Sequence, residues 1–191
     1  MSTCRDCIAT TNGCCNTVFA DGWKVILLPN EVKRISRLTA KDPCEFVDTS
    51  PLPPSQLRWY ISRYALEDPL WVRFVSIWRH PIGLKNGCVF LRPEGCSLPY
   101  QDKPFLCQVY PLDFNITRGN IFLSKETNCP VGQNAYSVTE VVAYFGDDWR
   151  RVQRRFRVFR RDLLSLLRTI PASSTMVRRQ SPSPAWSRSD F

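Results

Sequence analysis

Nine cysteines stand at Cys4, Cys7, Cys14, Cys15, Cys44, Cys88, Cys96, Cys107 and Cys129, and four of them crowd into the first fifteen residues. Cys4 and Cys7 have the C-x2-C spacing at which a tight loop aims two thiolates at one metal. Cys14 and Cys15 are adjacent. Neighbouring side chains diverge, so this pair suits two metals, or two corners of a cluster, better than one mononuclear ion. Thiols stay reduced in the cytosol, and an odd count argues against complete disulfide pairing. Cysteines used only as small buried hydrophobes would stand singly. The chemistry expected is therefore metal ligation by thiolate, and all-thiolate ligation suits both zinc and iron–sulfur centres.

A second group lies in NGCVFLRPEGCSLPYQDKPFLCQVYPLDF, residues 86–114. Gly87 precedes Cys88, Gly95 precedes Cys96, and Lys103-Pro104 leads to Cys107. Glycine lets a backbone approach a metal centre closely, and its N–H can bond to sulfur. His80 is the single histidine. A Ser-His-Asp hydrolase is thereby nearly excluded, and a loop histidine before Pro81 is expected to be exposed. Neither a phosphate-binding glycine loop nor a G-x-G-x-x-G is present.

These residues must be positioned by short elements. Residues 1–20 read as loop, and 23–28 as a short strand. Pro29 opens a helix with Glu31 in its first turn and Val32, Ile35 and Leu38 on one face; Asp42-Pro43 ends it. A proline-rich connector over 49–54 leads to a helix over 54–66 and a strand over 70–78. Residues 88–92 read as a strand, and 112–124 as a hairpin turning at Arg118-Gly119-Asn120. A short helix is expected over 138–145. A long one over 148–170 carries the heptad seam Trp149, Val152, Phe156, Phe159, Leu163, Leu166 and Ile170. So short a seam predicts a helix packed on its own domain. The Ser/Pro/Arg-rich end is expected to be disordered.

Charge divides the chain. Residues 1–149 hold 15 basic and 15 acidic side chains, so the net +9 lies in the last 42 residues, which carry 11 arginines, no lysine and two acids. Arg150, Arg151, Arg154, Arg155, Arg157, Arg160 and Arg161 leave the seam clear. An acidic partner, nucleic acid or an anionic surface would suit them, and so would plain solvent.

The order of these pieces resembles the CxxCxxCC (YkgJ-type) family of zinc- or iron-chelating cysteine-cluster proteins. The matching pieces are Cys4, Cys7, Gly13-Cys14-Cys15, Leu28-Pro29-Asn30-Glu31, Cys88-Val89-Phe90-Leu91, Cys96-Ser97-Leu98-Pro99-Tyr100, Lys103 to Pro111 around Cys107, and Cys129. Six residues separate Cys7 from Cys14, where the family has about two, and Lys103 and Gln108 replace its usual arginines. The resemblance implies eight metal ligands: Cys4, Cys7, Cys14, Cys15, Cys88, Cys96, Cys107 and Cys129. Cys44 has no counterpart and reads as a spare thiol.

The expectation is a small α+β, cysteine-rich, metal-centred domain with short strands, irregular loops and a long C-terminal helix. Its parts would be a cysteine-cluster domain over 1–135, an Arg-rich helical segment over 136–170 and a tail over 171–191. The expected function is that of a cytoplasmic metal-binding protein holding an iron–sulfur cluster for an accessory redox or modification role. The alternative is a zinc-stapled interaction module whose Arg-rich helix binds an acidic partner or nucleic acid. No apolar run approaches the roughly 18–20 residues of a membrane span. The first residues lack the basic start and apolar core of a signal peptide.

Overall fold

The computed structural model describes residues 25–48, 83–84, 88–93, 95–124 and 129–169. Cys4, Cys7, Cys14, Cys15, His80, the expected helix 54–66, the expected strand 70–78 and the tail lie outside them. Among the described residues the fold mixes helices with short antiparallel strands.

Of the expected strand over 23–28, residues 23–24 lie outside the described residues, and 25–28 carry a single bridge residue at Ile26. All three of Ile26, Leu27 and Leu28 are buried. Side chains of extended backbone alternate between two sides. Ile26 and Leu28 enter one apolar cluster, while Val25 and Leu27 enter another.

Pro29 then starts α1 (Pro29–Thr39). Ile35 is fully buried and Val32 half-buried, but Leu38 is 47% exposed, so the expected apolar face is shorter by a turn. The helix stops at Ala40, whose φ of 52° is left-handed, and not at Asp42-Pro43. Asp42-Pro43 instead opens α2 (Pro43–Phe46), where Asp42 accepts from the Cys44 N–H at 2.8 Å and Glu45 from the Asp42 N–H at 2.9 Å. A left-handed alanine carries a steric cost that glycine avoids. Ala40→Gly is therefore expected to stabilise the fold by about 0.5–1 kcal/mol, read as a raised thermal midpoint. An unchanged or lowered midpoint would contradict the cap assignment.

β1 (Val47–Asp48) pairs antiparallel with β2 (Gly83–Leu84). The expected strand at 88–92 is a turn over 89–90 followed by β3 (Leu91–Arg92), which pairs with β4 (Gly95–Cys96). Gly95, at φ 116°, sits where a side chain would be strained, which explains the glycine before Cys96. A 3-10 turn over Tyr100–Asp102 leads into α3 (Phe105–Val109). β5 (Leu112–Asn115) and β6 (Asn120–Leu123) form the expected hairpin, but its loop spans 116–119, and Asn120, expected in the turn, begins β6 opposite Asn115. Its loop closes through Gly119, at φ 71°, whose N–H donates to the Asn115 carbonyl at 2.9 Å.

Three helices complete the described chain: α4 (Pro130–Asn134), α5 (Val138–Tyr144) and α6 (Trp149–Arg168). Ser137 caps α5 through the Glu140 N–H, and Asp148 caps α6 through the Arg151 N–H at 3.1 Å. The heptad seam of α6 is buried as expected through Val152, Phe156, Phe159 and Leu163, and then passes to Leu167, while Leu166 is half-buried. A straight helix has 3.6 residues per turn and drifts about 20° per heptad, which brings Leu167 inward. The seam packs on Ile26, Leu28, Phe105, Val109 and Phe114 of its own chain. No helix among the described residues is long and apolar enough to cross a membrane.

Candidate metal centre

Four of the eight expected ligands fall within the described residues. Cys88 precedes β3, Cys96 lies in β4, Cys107 is the third residue of α3, and Cys129 is the N-cap of α4. Hairpin pairing ties the first two together: the Leu91 N–H donates to the Cys88 carbonyl at 2.9 Å, and Cys96 stands opposite Leu91. Cys107 arrives from a separate helix. All three half-buried thiols pack against one apolar cluster of Leu27, Ile35, Phe46, Phe90 and Leu98. The Phe46 and Phe90 rings lie 5.5 Å apart within it.

Cys129 is buried at 5% exposure but belongs to neither apolar cluster. Cys44 is exposed on α2. No disulfide joins two of the five described cysteines. Among the described residues, no three Cys, Asp, Glu or His side chains form a group able to hold a metal ion. The described chain thus packs Cys88, Cys96 and Cys107 against one apolar cluster without closing a ligand set. Soft thiolate donors beside an apolar surface have the chemistry of a zinc or iron–sulfur site.

The position of Cys107 is set from α1 by a contact the sequence does not announce. Glu31 is buried, at 7% exposure. Its Oε2 accepts from the Leu28 N–H at 2.8 Å, closing the start of α1, and its Oε1 accepts from the Phe105 N–H at 2.6 Å. One carboxylate therefore caps two helices at once, and α3 carries Cys107. Burial pushes the Glu31 carboxyl above the usual carboxylate range, opposed by the two N–H donors and by Arg34, while Asp162 adds to the rise. Arg34 works beside it, donating to the Asp102 and Lys103 carbonyls at 3.4 and 3.0 Å.

Gln108, following Cys107, braces the same turn. Its Nε2 donates to the Lys103 carbonyl at 2.6 Å and the Gln101 carbonyl at 3.2 Å, and its own carbonyl accepts from the Tyr100 hydroxyl at 2.8 Å. Its buried Oε1 has no hydrogen-bond partner among the described residues. The Arg155 guanidinium lies over the Tyr100 ring at 5.2 Å and pairs with Asp147. Sequence pattern offered no signal for this bracing, because its members lie up to 74 residues apart in the chain.

No protein-family model matches this sequence, no curated protein is detectably similar to it, and no solved structure resembles it significantly.

Proposed function

We propose that the chain is a thiolate-ligated metal protein holding an iron–sulfur cluster for an accessory redox or modification role. The observation that carries this reading is that Cys88, Cys96 and Cys107, from a hairpin and a separate helix, all pack against the same apolar cluster. Cysteine sulfurs are soft donors, and an apolar wall beside them limits access of water to a bound zinc or iron–sulfur centre. Cys4, Cys7, Cys14, Cys15 and Cys129 supply the remaining donors of the CxxCxxCC-like set. Iron–sulfur is favoured over zinc because the adjacent Cys14 and Cys15 suit a polynuclear centre.

Anaerobically purified protein is expected to absorb near about 400 nm and to contain iron and acid-labile sulfide. Cys88→Ser and Cys107→Ser should each lower metal content at least about tenfold, whereas Cys44→Ser should leave it unchanged. Colourless protein with stoichiometric zinc would replace the cluster by the zinc-stapled reading. Protein that binds neither metal after reconstitution would end both.

A further inference from the structure

The outer face of α6 carries a row of charges that neither the core nor the cysteines use. Arg150, Arg154, Arg157, Arg161 and Arg168 recur at steps of four, three, four and seven residues and are all exposed. They lie on the side of α6 opposite Val152, Phe156, Phe159 and Leu163. At about 1.5 Å of rise per residue the row is about 27 Å long. Asp162 is the one acid within α6, and it is engaged by Arg161 and by Asn30 at 2.9 and 3.2 Å. Two further arginines serve the fold. Arg155 pairs with Asp147, and Arg160 clamps the β5–β6 loop through the Ile116 and Thr117 carbonyls. Near Asp162 the positive surface continues onto α1, where Asn30 shares an open groove with the exposed Lys33 and Arg37.

We propose that this arginine row binds the phosphate backbone of double-stranded nucleic acid without reading its sequence. Three other occupants fit the same face less well. A protein interface has an apolar centre anchored by aromatic or methionine side chains. Among the described residues, α6 offers only Val158, at 44% exposure, and the groove on α1 adds the single aliphatic Leu38; neither is aromatic or methionine. A membrane-surface helix buries its apolar side in lipid, but the apolar side of α6 is already the core of the domain. Single-strand binders stack bases on exposed rings. On α6, Phe156 and Phe159 are buried and Trp149 is half-buried. What remains is a line of planar, permanently charged forks suited to phosphate oxygens. A duplex presents one phosphate per strand for about every 3.4 Å of axis, so Arg150, Arg154, Arg157 and Arg168, together with Arg161 shared with Asp162, meet a dense line of charge over this length.

The test is fluorescence anisotropy of the full chain with a labelled mixed-sequence DNA duplex of about 20 base pairs, titrated between about 50 and 200 mM salt. Wild type should bind with a log–log salt slope of about −4 to −5, one step of about 0.9 per phosphate contact. The triple variant Arg150→Gln, Arg154→Gln, Arg157→Gln should bind about 10- to 100-fold more weakly, with a slope shallower by about 3. Its thermal midpoint should match wild type, since these side chains are exposed. The matching lysine variant should keep the slope, which separates lost charge from lost folding. Absence of wild-type binding at the lowest salt would overturn the proposal, as would unchanged affinity in the glutamine variant. Polyglutamate or anionic vesicles bound as tightly as the duplex would also overturn it.

Discussion

Glu31→Gln is expected to lower folding stability by about 2 kcal/mol at neutral pH. The substitution turns one carboxylate oxygen into an NH2 group facing a backbone N–H. Either Leu28 or Phe105 then loses its acceptor inside the protein, and a buried donor without a partner costs about 1–3 kcal/mol. Glu31→Ala removes both acceptors and should cost about 4 kcal/mol. The effect carries a pH signature. The folded state holds the Glu31 proton more tightly than the unfolded chain does, because burial raises this carboxyl above its ordinary value of 4.5. The folded state therefore binds more protons between the ordinary and the raised value, and stability falls as pH rises through that window. Below it the stabilisation is fully present; above it the loss is complete. Glutamine does not titrate, so the gap between wild type and Glu31→Gln should be wider near pH 4 than at pH 7. Urea unfolding of both proteins across that range measures it. A gap independent of pH would show that Glu31 is not buried as described.

Phe105→Ala should be the most damaging single core change, at about 3–5 kcal/mol. The ring stacks on Phe159 at 4.5 Å and on Phe156 at 5.9 Å, and meets Phe114 edge-on at 5.6 Å. It is the place where α3 and the hairpin are held to α6. Phe105→Leu keeps much of the apolar area and should cost far less, about 1–2 kcal/mol, because the loss is confined to ring contacts. A double-mutant cycle with Phe159→Leu should show about 0.5–1.5 kcal/mol of coupling. Denaturant midpoints decide it: a cost below about 1 kcal/mol for Phe105→Ala would mean α6 is anchored elsewhere.

What the sequence made legible follows from how far each signal reaches. The α6 seam could be read because its apolar period persists for five turns. The 112–124 hairpin was visible because Gly119 falls between two apolar runs. The helices α3 and α4 were missed, since five residues are too few to show an apolar period. Leu38 was misplaced because helical spacing gives a direction but not the extent of the neighbour that would cover it. The candidate site divides the same way. The pattern nominated Cys88, Cys96 and Cys107, and these three meet one apolar wall. The Glu31 contact to Phe105 joins residues 74 positions apart and left no local trace. Of the seven arginines that leave the α6 seam clear, Arg155 and Arg160 are committed to the fold, through an acid and through backbone carbonyls.

The segment Val25-Ile26-Leu27-Leu28 sends alternate side chains to two different clusters, one beside the cysteines and one beneath α6. Any of its aliphatic residues exchanges for another of similar volume at modest cost. Its length has no such latitude. Removing or adding one residue would reverse the facing of every side chain beyond it, emptying a place in each cluster at once. Here the chain is tolerant of spelling and intolerant of counting: Leu28 is already the N-cap of α1, so a residue gained or lost within 25–28 has no slack to absorb it before the helix begins.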